Sequence, residues 1–496
     1  MPETAPVSHP FRRLLQDLFI YSGGQVLSRL ITFLLLPLTT AYLTPADYGV
    51  ISTLSLIVPF LVGLYTLGAA APCARLYHDV KTEGERREII WTAFSGLTIN
   101  AAIWTSLAAL FSSQISLLLF QSSLYSPLVI LIFVSTALTH MTVPLISSLR
   151  MKEKAPLIAA VALFETLLSV ALTLYFIIFL KIGVLGIVLS WILSQLASFL
   201  ATLFICLKFF RFKVGWKYVP QMLQLGLPYA ITLIGYPLLQ SASRAVMQFF
   251  LDMNEVGLFY MGSNFARCIE LPVIAFINAW VPFYASFANR QEEGIPLFRK
   301  VLSYYVLALC ALCALFFAAA RPVVCLILHA NFHSIWTVVG ILSLAQGCWG
   351  IYHIFIVGLF FNKKALWQLY VELSAGAVSV LINCALIPLL NKEGAAIATL
   401  ISFAFLAGIT YLLSQRLLPI QYEWNRIIKI CAGLIPVIGT SFLPLPLYFH
   451  MAVSGCLVLL YYAFLWKFCL TRPDKQAVLR YIRRDWAAIS TLKENL

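Results

Sequence analysis

Long apolar runs alternate with short polar connections along almost the whole chain. Each run is close to the ~20 residues that cross the hydrocarbon core of a bilayer. Fourteen can be drawn, over residues 17–42, 49–70, 90–111, 127–149, 156–180, 184–207, 222–250, 256–283, 300–320, 335–361, 366–389, 394–415, 427–445 and 451–468. No large soluble domain interrupts them. The pattern predicts an all-α integral membrane protein. The first run is too long for the apolar core of a signal peptide, and no small-residue cleavage site follows it. It therefore reads as a first span preceded by a cytoplasmic N-terminus.

The polar connections carry a repeat. Ala46-Asp47-Tyr48-Gly49-Val50 follows the first span, and Asn254-Glu255-Val256-Gly257-Leu258 follows the seventh, 208 residues later. Leu185-Gly186-Ile187-Val188 opens the sixth span and Glu393-Gly394-Ala395-Ala396 the twelfth, again 208 residues apart. Glu165 and Glu372 are 207 apart in spans five and eleven. The alternative is chance likeness among apolar segments. Two six-span halves beginning on the same side predict parallel repeats about an axis along the membrane normal, with a substrate site between them and alternating access. The organisation expected is a six-helix lobe over 1–207, a second over 208–416, and spans thirteen and fourteen with a basic cytoplasmic tail over 417–496.

Composition agrees with the pattern. Of the residues, 61% are hydrophobic and 11% charged, against about 45–50% apolar in a soluble domain. The net charge of +14 does not indicate nucleic acid, because the basic residues are not gathered in a soluble domain. A cytoplasmic N-terminus puts 28 of the 34 lysines and arginines in inside regions, three in outside loops (Lys181, Arg321, Lys392) and three within spans. A missed or extra span would invert every later loop and destroy this asymmetry. The basic residues are thus topology signals facing an anionic leaflet. The eleven cysteines lie mostly within apolar runs. Cys310-Ala-Leu-Cys313 has a redox spacing but no βαβ context, and reads as small core residues.

The chemistry rests on polar groups at membrane depth. Arg29, Arg244 and Arg267 are the embedded cations. A charge there costs roughly 2.5–3.5 kcal/mol on the insertion scale and faces a polar interior. A guanidinium stays charged and its forked donors match phosphate oxygens, so these three are candidate substrate contacts. Each could instead be helix–helix glue, and Glu270 at i+3 could neutralise Arg267. Glu165, Glu270 and Glu372 are candidate carriers of a coupling ion, a proton or sodium; Glu372 lies near Lys364 and could instead sit in the interface. His329 and His333 have the spacing of a metal-binding pair, but no third ligand stands near, so no metal is expected. His140 and His353 read as packed polar residues or cavity lining. Asn100, Gln240, Gln248, Asn264, Asn278, Gln346 and Asn383 could line a hydrated cavity or bond between helices. Tyr229, Tyr236, Tyr260, Trp280 and Tyr284 would suit sugar stacking or core packing. Pro37, Pro59, Pro144, Pro228, Pro237, Pro272, Pro282 and Pro388 mark kinks, mobile or static.

No P-loop, GxSxG, cysteine–histidine grouping or acidic cluster in a sizeable outer loop is present, so no enzyme and no catalytic residue is expected. Several motifs do resemble a known family. They are Arg29 with Phe33-Leu-Leu-Leu-Pro-Leu38, then Tyr42-Leu-Thr-Pro-Ala-Asp-Tyr-Gly49, and Gly68 with Arg75. Gly226-Leu-Pro228, Ser243-Arg244, Glu255-Val-Gly-Leu-Phe-Tyr260 and Ala279-Trp-Val-Pro282 continue the likeness. Asn383 with Ile387-Pro388, and Gly394-Ala-Ala-Ile-Ala-Thr399, complete it. Together they resemble the polysaccharide-transporter (Wzx-type) flippases of the MOP superfamily, MATE-like in fold. The resemblance implies two lobes around a central cationic cavity, working by alternating access. It implies an undecaprenyl-diphosphate-linked oligosaccharide as substrate, with membrane lipids and a polysaccharide polymerase or ligase as partners. It places the protein in a bacterial cytoplasmic (inner) membrane, both termini cytoplasmic, with no cofactor beyond H+ or Na+ coupling. One departure is Ser243, where the family often has an acid beside the arginine. The rivals are a lipid II flippase, a cation-coupled multidrug exporter, which expects an acid-dominated cavity, and a membrane glycosyltransferase or ligase, which the short outer loops disfavour.

Overall fold

The structure, a computed structural model, describes residues 27–28, 30–152, 154–207, 213–232, 235–288, 290–362, 364–443, 445–472 and 474–476. These residues are helices and short connections, with no strand among them. Ten helices among them are long and apolar enough to cross a membrane. One of the ten covers predicted spans eleven and twelve together: α16 (Ala365–Leu417) runs through both and departs from helical geometry at Asn391 (φ 50°, ψ −132°). Of span one the structure shows the apolar helix α1 (Leu30–Thr40). Within span seven the structure describes α10 (Val219–Thr232) and α11 (Gly235–Phe250). Span thirteen corresponds to α17 (Trp424–Ser441), whose first two turns hold Arg426 and Lys429.

Local chemistry explains where helices begin. At α2 (Pro45–Thr66) Thr44 caps the first turn: its hydroxyl accepts from the Asp47 N–H, while Asp47 Oδ2 accepts from the Thr44 N–H at 2.9 Å. Pro45 at the first position supplies a pre-set φ and lacks only a donor that had no helical partner. The far end of α2 closes with Leu67 (φ 46°) and Gly68 (φ 66°) in left-handed geometry, which turns the chain into α3 (Ala70–Asp79). At α12 (Met253–Ala285) the cap recurs at the same 208-residue offset: Asp252 Oδ1 accepts from the Glu255 N–H at 3.0 Å.

The chain divides into two compact units. The first comprises Met1–Phe265, Ile327–Ser334 and Leu369–Ser402. Its core holds Leu54 and Tyr65 of α2, Val129 and Ile132 of α6 (Ser126–Met141), and Val188 of α9 (Gly183–Cys206). The segment joining the halves is pinned to α4 (Glu83–Leu110): the Gly215 N–H donates to Thr92 at 2.8 Å and Lys217 pairs with Glu85 at 3.2 Å. The second unit comprises Ala266–Leu326, Ile335–Gln368 and Phe403–Leu496. There Phe276, Trp280 and Phe283 of α12 stack in a row, with Phe298 of α13 (Gln291–Ile327) edge-on to Trp280. Trp280 also donates to the His353 carbonyl at 2.9 Å, so it belongs to the packed core.

Pro144 follows the end of α6 at Met141, and Pro237 lies in the first turn of α11. Pro59, Pro228, Pro272, Pro282 and Pro388 lie inside continuous helices. Each removes a backbone donor, and the surrounding turns carry the helix through.

Candidate functional site

Of the three embedded arginines, Arg29 lies outside the described residues. Arg244 lies on α11 in the first unit and Arg267 on α12 in the second. Arg244 is 7% exposed. Ser241, Arg244 and Gln248 recur at i, i+3 and i+7, which places them on one face of α11. That face meets the hydroxyls of α2. Arg244 Nη1 donates to Ser55 Oγ at 3.0 Å, and Gln248 Nε2 donates to Thr53 Oγ1 at 3.0 Å. The Arg244 guanidinium also stands 6.0 Å from the centre of the Tyr260 ring. Beside this face, Ser243 lies 2.7 Å from the Thr399 hydroxyl on α16 and donates to the Ala395 carbonyl at 3.4 Å. Ser243, the departure from the family's acidic position, therefore holds α11 to α16 through neutral bonds.

Arg267 is exposed on α12. Of the aromatics considered for sugar stacking, Trp280 and Tyr284 are buried, and Tyr284 packs edge-on to Phe360. Tyr229 is exposed and Tyr260 faces Arg244; the side chain of Tyr236 lies outside the described residues. Asn100 bonds the Leu64 and Tyr65 carbonyls at the end of α2, at 2.7 and 3.0 Å. His140 is buried with its ring 6.0 Å from that of Tyr65. His333 meets the Leu328 carbonyl at 3.1 Å. Ser52, Thr53, Ser55 and Ser241 were not anticipated. The signal of the first three is faint, a Ser-Thr-Leu-Ser run inside an otherwise apolar segment.

The family profile described as "Polysaccharide biosynthesis protein" matches residues 14–288, more than half of the chain. The protein belongs to this family. No curated protein matches the chain. Among solved structures, it is similar to the lipid II flippase MurJ in an inward closed conformation, with TM-score 0.72 and 12% identity over 90% of this chain and 99% of that one. It is also similar to a multidrug resistance MATE family transporter of the MOP superfamily in its inward-facing conformation, with TM-score 0.63 and 13% identity over 82% and 97%. A mutant of the Vibrio cholerae MATE transporter VcmN gives TM-score 0.57 and 17% identity over 82% and 96%. At these identities the likeness is one of fold: the chain is a multi-pass membrane protein with the architecture of flippases and transporters.

Within this family member Glu165 and Glu372 lie in the first unit and Glu270 in the second. Glu165 is half-buried on α8 (Ala155–Leu174), with a hydrogen bond from Ser198 of α9. Glu372 on α16 is 7% exposed, set well inside the protein. Glu270 is half-buried in the second unit. On the same helix as Glu372, Asn383 bonds Ser379 through its amide nitrogen at 2.8 Å, while its buried Oδ1 has no hydrogen-bond partner among the described residues.

Proposed function

We propose that the protein is a flippase that moves an undecaprenyl-diphosphate-linked oligosaccharide from the cytoplasmic to the outer leaflet of a bacterial inner membrane by alternating access. The observation that carries the reading is the buried Arg244, set at membrane depth against a row of hydroxyls. A permanent cation in that position suits a phosphorylated headgroup, and its hydroxyl neighbours can share the phosphate oxygens. Family membership and flippase-like fold support the same class of cargo. Arg29 and Arg267 are proposed as further contacts, the lipid tail staying in the bilayer. The protein acts as a secondary transporter rather than an enzyme, coupled to H+ or Na+ through Glu165, Glu270 or Glu372. The two six-helix halves are its moving lobes, and the sugars would be handed to a polymerase or ligase.

The test is reconstitution of the purified protein in liposomes with undecaprenyl-diphosphate-linked oligosaccharide, scoring glycan that reaches the far leaflet. Arg244→Ala and Arg29→Ala should each lower translocation at least tenfold, roughly 1.4 kcal/mol or more of lost interaction, with insertion unchanged. Wild-type rates in both variants would remove the arginine reading. Glu165→Gln should weaken the dependence on the ion gradient. A second reading, transport of lipid II, is favoured by the likeness to MurJ over 99% of that chain. Offering lipid II in the same liposomes separates the two.

A further inference from the structure

The face of α11 that carries Arg244 lies against α2 along a polar seam. Two of its hydroxyls, Ser52 Oγ and Ser241 Oγ, are buried and have no hydrogen-bond partner among the described residues. Ser52 is 0% and Ser241 2% exposed. A permanently closed seam would be more stable with apolar residues at these positions, because an unsatisfied buried hydroxyl carries an uncompensated desolvation cost. The same atoms find partners at once if water or phosphate oxygens enter.

Both ends of this region are closed by backbone crossing at glycine. At the start of α2, a Cβ on Gly49 would strike the Met253 carbonyl oxygen and stand 3.1 Å from Met253 Cα. A Cβ on Gly257 would strike the Pro45 carbonyl oxygen and stand 2.7 Å from Gly49 N. Pro45 and Met253, like Gly49 and Gly257, are 208 residues apart, so the crossing is reciprocal: each half presents its glycine to the other's first helical residue. At the end of α2, a Cβ on Gly68 would strike the Gly226 carbonyl oxygen and stand 2.9 Å from Ala230 N, and one on Gly226 would strike the Leu67 carbonyl oxygen. The 22 residues of α2 rise about 33 Å, so the crossings stand at opposite faces of a ~30 Å hydrocarbon core. Contacts made by bare backbone can part without unlocking interdigitated side chains. Thr53 links seam and crossing, donating to the Gly49 carbonyl at 2.9 Å as well as receiving Gln248.

We propose that the α2–α11 seam is a hydratable passage for a diphosphate headgroup, shut in this structure at both glycine crossings and opened at one crossing at a time. Ser52, Thr53, Ser55, Ser241 and Gln248 are then headgroup-contacting residues alongside Arg244. The proposal rests on the flippase reading for its cargo, but the opening of the seam can be read without any cargo.

The experiment uses the full chain in sealed vesicles, with its eleven native cysteines replaced and membrane insertion retained. S52C and S241C are introduced singly and challenged from each face with a membrane-impermeant, charged methanethiosulfonate. Both thiols should label at least tenfold faster than L459C, a control on an exposed apolar position of α18 (Leu447–Phe464). Adding Gly257→Leu, which props the start of α2, should make labelling from the face expected to lie outside dominate at least tenfold. Gly226→Leu should reverse the preference. If a leucine variant does not fold, labelling in the wild-type glycine background decides alone. Thiols that stay unlabelled in protein that still translocates overturn the passage. Labelled thiols without translocation of either lipid-linked glycan keep the passage and overturn the cargo.

Discussion

Lys392 shows how far a residue's role departs from its place in the chain. In the sequence it is one of three outside-loop cations. In the structure it is 8% exposed and its ammonium lies 3.0 Å from Glu255, with Glu393 at 3.8 Å. Glu255 occupies the third position of the capped first turn of α12, so the ion pair fastens the α16 break at Asn391 to that helix start. Removing one partner of a largely buried pair strands the other charge. Lys392→Ala should therefore destabilise the protein by about 2 kcal/mol, discounted from the fully buried range because Glu255 is partly exposed. The check is a lowered thermal midpoint in detergent, partly restored when Glu255→Gln is added. Arg244 makes the complementary point. That a cation sits in span seven is plain from the sequence, but its hydroxyl partner Ser55, 189 residues away on α2, is not. Short hydroxyl residues in an apolar run look the same whether they bond their own helix or a neighbour.

At the scale of elements, hydrophobic run length was legible and helix ends were not. The structure forms a capping box from Thr44 and Asp47. Thr44→Ala should cost about 1 kcal/mol, read as a lower thermal midpoint, and Asp252→Ala should match it at the repeated site. Most of the prolines sit in helices that continue on either side of them. A membrane helix loses one hydrogen bond at proline and keeps the rest, because the bilayer offers the backbone no better partner. Breaks occur instead where tertiary packing redirects the chain, as at Leu67-Gly68. Span nine was drawn over 300–320, whereas α13 runs over Gln291–Ile327. Apolar length marks the part of a helix in hydrocarbon and is silent about polar turns that project beyond it.

For the whole molecule, the charge asymmetry predicts an orientation that is open to test. Alkaline phosphatase fused after Lys181 should be active, and after Lys154 or Lys217 inactive, with the reverse for a cytoplasmic reporter. The C-terminal pair α17 and α18 is tied down by one charge cluster. Arg426 donates to the Cys469 carbonyl at 2.7 Å and pairs with Asp474 at 3.0 Å and Glu423 at 3.3 Å, while Tyr304 donates to Asp474 at 2.6 Å. Burial opposes the Asp474 charge, but the bonds from Tyr304 and Thr471 and the Arg426 guanidinium outweigh it and hold the carboxyl down at about 2. A carboxyl lowered on folding stabilises above its unfolded value, near 3.9, and loses that contribution as pH falls towards the folded one. The gap in thermal midpoint between wild type and Asp474→Asn should therefore be full at pH 6 and close between about pH 4 and 2.

The amino-acid sequence determined that this chain is a helical membrane protein, roughly where its helices lie, and that its halves repeat at a fixed offset. Those properties follow from hydrophobic run length and the charge of connections, both of which act within a few turns. Only the tertiary structure decided that Gly49 and Gly257 cross, that Lys392 is buried, and that Arg244 meets Ser55 of α2. Those outcomes depend on which helix faces pack together. In an all-apolar background many pairings bury similar area, so the choice falls to close backbone approach and to scattered polar groups seeking partners.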